Sequence, residues 1–120
     1  MMVKRKRHNH RNLKIWKLGT EIMKDIYDVT SDFPKKEDYR LTSQLTGCAV
    51  SMPSNIAEGS ARTERSFHYF LDISLGSSFE LGTQLIAAHH AKYITDFKLK
   101  ELDDKNNEFQ RMTLGFIETL

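Results

Sequence analysis

The sequence predicts an all-α protein, an antiparallel up-down four-helix bundle. Three observations carry that expectation. Apolar residues recur at spacings of three and four in four successive stretches, the mark of helices that bury one stripe. Short breaks containing proline, glycine or threonine separate those stretches, which makes consecutive helices antiparallel neighbours. No stretch alternates polar and apolar residues for long enough to suggest a strand. A chain of 120 residues with 28% charged and 39% hydrophobic residues is a single globular domain by length and composition.

The first helix is expected from about Leu13 to Ser31. Ile15, Leu18, Ile22, Ile26 and Val29 form its stripe, widened by Trp16, Met23 and Tyr27. Phe33-Pro34-Lys35-Lys36 ends it, because proline has no amide donor and restrains the residue before it. The second helix is expected from near Asp38, with Leu41, Leu45, Cys48, Ala49, Met52 and Ile56 inward. Pro53 lies inside it and deprives the Ala49 carbonyl of its partner, at a cost of ~3 kcal/mol. A kink is expected there, with Ser51, Ser54 or Asn55 bonding the freed backbone. Gly59 suits a left-handed helix cap.

The third helix is expected from Thr63, an N-cap followed by Glu64, to about Ala91. Its middle is unusually small, with Ser74, Gly76, Ser77, Ser78 and Gly82. Each mid-helix glycine costs ~1 kcal/mol against alanine, so close packing against the second helix is the expected return. The fourth helix is expected from Asp96 to Leu120, with Leu102, Phe109 and Phe116 repeating every seven residues as a bundle seam. Trp16, Tyr39, Tyr69 and Phe79 add apolar surface beyond one core face, which points to self-association.

Charge divides the chain in two. Six of the 18 basic residues lie in the first fourteen positions, where no acid occurs. Residues 1–12 therefore read as a flexible basic arm, and residues 13–120 as the bundle domain. Lys4, Arg5, Lys6, Arg7 and Arg11 are the candidate nucleic-acid contacts, able to neutralise phosphates and release counterions. The arm contains no Phe, Tyr or Trp on which bases could stack. From Ile15 onward the balance is acidic, so the alternative is a purely protein–protein assembly whose body docks a basic partner.

Other chemistry finds little footing. Di-iron bundles need Glu-x-x-His pairs on facing helices, and the chain has none. His89 and His90 are adjacent and point about 100° apart on a helix. Cys48, the single cysteine, sits among apolar positions and reads as a core residue of a reducing cytosol. No metal, cofactor, small-molecule substrate or catalytic group is expected. No apolar run approaches the ~20 residues of a membrane span, and no signal peptide is read, so the expected location is cytoplasmic.

Several segments resemble one bacterial family in order. They are Leu13-Lys14-Ile15-Trp16, Tyr27 to Pro34, and Leu41-Thr42-Ser43-Gln44-Leu45. The most specific is Ser51-Met52-Pro53-Ser54-Asn55-Ile56-Ala57-Glu58-Gly59 followed by Arg62, and Phe70 to Ser77 with Glu80-Leu81 comes after it. Together they resemble the four-helix-bundle family titled 23S rRNA intervening-sequence protein, which includes accessory proteins of diversity-generating retroelements. The resemblance implies a left-handed bundle assembled as a homopentamer. It also implies a non-enzymatic scaffold that binds RNA, DNA or a nucleic-acid-processing partner such as a reverse transcriptase. Ser51, Pro53, Asn55, Glu58, Gly59, Arg62, Gly76, Ser77 and Glu80 form its structural motif, with Ser51–Gly59 as the packing joint against Gly76 and Ser77. Thr46 and Gly47 stand where the family usually has two arginines, which removes two cations from the body.

Overall fold

The structure, a computed structural model, describes residues 7–120. Four helices follow in order: α1 (Lys14–Thr30), α2 (Leu41–Ser60), α3 (Glu64–His90) and α4 (Asp96–Ile117). Among the described residues there is no strand. Each helix touches its two neighbours around a square, while the diagonal pairs α1–α3 and α2–α4 do not approach. The result is an up-down bundle of 60 × 25 × 19 Å, as the periodicity predicts.

The helix starts follow from local chemistry. Thr63 Oγ1 accepts from the Ser66 amide at 2.9 Å, and Thr95 Oγ1 accepts from the Lys98 amide at 3.0 Å. α2 begins three residues later than the sequence suggests. Lys35–Glu37 takes a short 3-10 turn instead, and Tyr93 from the α3–α4 connection donates to Glu37 at 2.7 Å. The ring of Tyr93 also meets Phe33 at 5.1 Å, so the two connections at this end lock together.

The core runs the length of the bundle, with Ile22 and Ile26 from α1, Leu45, Met52 and Ile56 from α2, Phe67, Leu71, Leu81 and Leu85 from α3, and Leu102 and Phe109 from α4. Several polar side chains are buried among these apolar ones, Ser74, Ser78, Asn106 and Thr113 completely. Asn106 of α4 donates to the Ser78 carbonyl at 2.9 Å and accepts from the Ser78 hydroxyl at 2.6 Å. Gln110 donates to the same hydroxyl at 3.0 Å. The Ser78 hydroxyl and both the oxygen and the nitrogen of the Asn106 amide thus have partners across the α3–α4 contact, which offsets the cost of burying them.

Three expectations about the α2 joint need correction. Gly59 is not a left-handed cap: no glycine among the described residues has a positive φ, and α2 runs past it to Ser60. It is required instead by proximity, because a Cβ there would lie 2.8 Å from both Phe67 Cδ1 and Phe70 Cβ. Pro53 does not pack toward Gly76 and Ser77. It is two residues, about 200°, away from the face that carries Ser51, and it meets Gly19 of α1. Gly76 is exposed with nothing within 4 Å of where its Cβ would be, so it is not a contact with α2. The small middle of α3 divides between two neighbours: Ser74 donates to the Met52 carbonyl of α2 at 2.7 Å, whereas Ser78 and Gly82 meet Asn106 of α4.

The expected arm boundary at residue 12 does not mark where contacts with the bundle begin. The His8 amide donates to the Ser60 carbonyl at 3.3 Å, and its ring lies 5.2 Å from Phe67 and 5.6 Å from Phe116. His10 meets the Trp16 ring edge-on at 5.2 Å, and the Arg11 guanidinium lies 5.6 Å from its centroid. Lys4, Arg5 and Lys6 lie outside the described residues.

Candidate interaction surface

Most of the motif residues come together on one line, the outer seam between α2 and α3. Gln44, Cys48, Ser51, Asn55, Glu58 and Arg62 recur at spacings of four and three on α2, so they share one face. Phe70, Ser77, Glu80 and Gln84 oppose them on the antiparallel α3. Gln84 donates to Gln44 at 3.2 Å and to Glu80 at 3.4 Å. The Ser51 and Ser77 hydroxyls share a hydrogen bond of 2.8 Å. The Asn55 amide donates to both the carbonyl and the hydroxyl of Ser51, each at 2.9 Å. Arg62 pairs with Glu58 at 2.6 Å and lies 5.1 Å from the Phe70 ring centroid.

The side chains expected to serve the Ala49 carbonyl therefore bond elsewhere. Ser51 reaches across to α3, Asn55 folds back onto Ser51, and Ser54 is exposed. Ser51 makes the bridge to Ser77, and Asn55 orients Ser51.

Cys48 belongs to the core and borders this seam. Burial pushes its thiol up to about 11, and the hydrogen bond and negative charge of Glu80 push in the same direction. The sulfur stays protonated at neutral pH and is a poor nucleophile or metal ligand. Among the described residues no three His, Cys, Asp or Glu side chains gather where a metal ion could sit. His89 instead pairs with Asp96 across the α3–α4 connection.

Of the predicted nucleic-acid contacts, Arg7 and Arg11 are exposed at the end of the bundle where α2 passes into α3, and Arg7 donates to the Ala61 carbonyl. Lys14, Arg62 and Arg65 lie at the same end. Sequence reasoning missed Gln44 and Gln84 as seam members. Their signal was the same alternation of fours and threes that carries Ser51 and Asn55. It also missed the partner of Asn106, since nothing in a single helix shows which serine of another it will face.

The middle of the seam is poor in charge, and the Glu58–Arg62 pair closes one end of it. Between Leu41 and Ala57 no residue carries a formal charge, and between Ile73 and Ala88 only Glu80 does. The α1–α4 side is built oppositely, with Lys105 bridging Asp25 at 2.7 Å and Glu21 at 3.0 Å, and Lys100 paired with Asp104 at 3.0 Å.

Fold and surface together define a class: an all-helical bundle in which most of the motif residues build an inter-helix seam. The chain belongs to the 23S rRNA-intervening sequence protein family, whose model matches residues 11–115. Among solved structures it is similar to a protein of unknown function from the S23 ribosomal protein family of Bacteroides thetaiotaomicron. The identity is 17% and the TM-score 0.80, over 86% of this chain and 97% of that one. At that identity the likeness shows the fold. No curated protein matches the sequence significantly. Among the described residues no helix is long and apolar enough to cross a membrane.

Proposed function

We propose that this protein is a non-enzymatic, cytoplasmic, homo-oligomeric scaffold that binds nucleic acid through its basic N-terminal segment, in concert with a nucleic-acid-processing partner such as a reverse transcriptase. The observation that carries the reading is the gathering of cations at one end of a 60 Å rod. Arg7 and Arg11 are held there by contacts to Ala61 and Trp16, beside Lys14 and Arg65, and Lys4, Arg5 and Lys6 directly precede them in sequence. Such a cluster binds phosphates by counterion release and carries little base specificity. A homopentamer, as the family resemblance implies, would present five clusters and multiply weak contacts through avidity.

The test is a gel shift with a structured RNA and a duplex DNA over a salt series. The full chain is expected to shift RNA at low salt and to lose it steeply by moderate salt, with a log–log slope of about −0.9 for each phosphate neutralised on a duplex. Deleting residues 1–12 is expected to abolish the shift. Absence of any shift by the full chain at low salt refutes nucleic-acid binding and leaves the protein–protein assembly.

A further inference from the structure

The N-terminal arm carries cations but no Phe, Tyr or Trp, and the fold brings an aromatic ring to the same end of the rod. Tyr69 lies in the second turn of α3, is 62% exposed, and stands nearly perpendicular to Phe70 with the ring centroids 5.5 Å apart. Tyr39 and Phe97 are more exposed, but they lie at the opposite end, beside the starts of α2 and α4. Tyr69 walls an open groove of about 450 Å³, lined also by Glu64, Arg65, His68, Asp72 and Leu120. The five α3 positions fall within an arc of about 140° around the helix, so they form one continuous surface.

Groove and arm are neighbours. Arg7 donates to the Ala61 carbonyl, just before α3 begins, and the His8 amide donates to Ser60. Tyr69 is about 8 Å along the helix axis from Glu64. Arg65 is exposed one turn before Tyr69. Within the groove the charge changes sign. Glu64 and Asp72 are exposed carboxylates, and Asp72 faces His68 Nδ1 at 3.4 Å. Carboxylates repel phosphate but accept from the N–H groups on a base edge. Cations beside the groove and acceptors inside it fit a nucleotide whose phosphates lie toward Arg65 and Arg7 and whose base lies on Tyr69. A basic peptide would also suit the carboxylates, but the cations of the arm repel it.

We infer that the groove at the start of α3 is a subsite for one unpaired base stacked on Tyr69, so that single-stranded or looped nucleic acid gains a contact that a duplex cannot make. The inference rests on the nucleic-acid part of the proposed function and names the form of strand it takes. The arm supplies charge without stacking, and α3 supplies stacking. A duplex keeps its bases paired within the helix, whereas an unpaired base can be splayed onto an aromatic ring. Every base has a π face, so the contact selects for unpaired strand and not for a sequence.

The test measures fluorescence anisotropy of a labelled, unstructured RNA strand and of the same strand in a duplex, at low salt, with the full chain and its variants. Tyr69→Ala is expected to weaken single-strand binding about 5- to 150-fold, the loss of one stacked base, and to leave duplex binding unchanged. Tyr69→Phe is expected to keep the single-strand affinity, because stacking uses the ring and not the hydroxyl. Arg65→Gln is expected to flatten the single-strand salt slope by about 0.7, one phosphate contact. Changing Lys4, Arg5 and Lys6 together to Gln is expected to weaken both forms. Phe97→Ala, at the far end, is the control and is expected to change neither. Helical circular dichroism checks that each variant is folded. Single-strand binding by Tyr69→Ala equal to wild type, an equal loss on the duplex, or an equal loss in Phe97→Ala overturns the inference. So does a Lys-rich peptide whose binding needs Tyr69 while that of the RNA strand does not. Wild type that binds neither form refutes the proposed nucleic-acid function as well. Duplex binding that persists beside a single-strand affinity indifferent to Tyr69 overturns this inference alone.

Discussion

At Gly59 a single methyl group decides whether α2 and α3 can meet. The added Cβ would press on the Phe70 Cβ and on the Phe67 ring, and neither can withdraw without moving its helix. Gly59→Ala is therefore expected to destabilise the fold by about 1–3 kcal/mol, despite alanine's better helix propensity. Urea unfolding of the variant checks this, and a midpoint at or above wild type would contradict it. A similar distinction of scale applies to Cys48. Its type says small and apolar, and it is so placed, but only the adjacent Glu80 explains why its thiol is held further from ionisation than burial alone would hold it.

At the scale of elements, the helices are held in register by different means. α1 and α2 meet where Gly19 admits the Pro53 ring, so the residue that weakens α2 internally also fills a contact. α1 and α4 are clasped by Lys105 between Asp25 and Glu21. α3 and α4 are keyed by Ser78, Asn106 and Gln110 in an otherwise apolar layer. A buried polar key disfavours sliding by one turn, because displacement leaves its groups unpaired. Asn106→Ala strands the Ser78 side and leaves a void, with an expected loss of about 2–3 kcal/mol. The double variant Asn106→Leu with Ser78→Ala is expected to lose less than the two single changes combined, since both partners are then apolar. Denaturant titration of wild type, Asn106→Leu, Ser78→Ala and the double variant forms the double-mutant cycle that decides it.

At the scale of the whole molecule, charge is partitioned twice. Along the rod, cations gather at the arm end. Around it, the α1–α4 side carries more charge than the middle of the α2–α3 side. The first partition suits an anionic polymer. The arm is also part of the fold from His8 onward. Truncation to Leu13 removes the His8 contacts with Phe67 and Phe116 and the Arg11 contact with Trp16. It is expected to lower stability by about 2 kcal/mol, visible as a fall in Tm. Changing Lys4, Arg5 and Lys6 together to Gln leaves those contacts intact. That variant therefore tests the charge alone.

The sequence by itself determined four helices, their order, and most of their ends, because periodicity and capping are local properties. Thr63 and the heptad of Leu102, Phe109 and Phe116 needed no partner to be read. It also held the family, through the Ser51–Gly59 segment. Which neighbour each small residue serves was decided only in three dimensions. Adjacent positions on a helix point about 100° apart, so Ser51, Pro53 and Gly59 go to different contacts although they lie within nine residues. Gly76, which looked like the counterpart of that joint, turned out to face away from it.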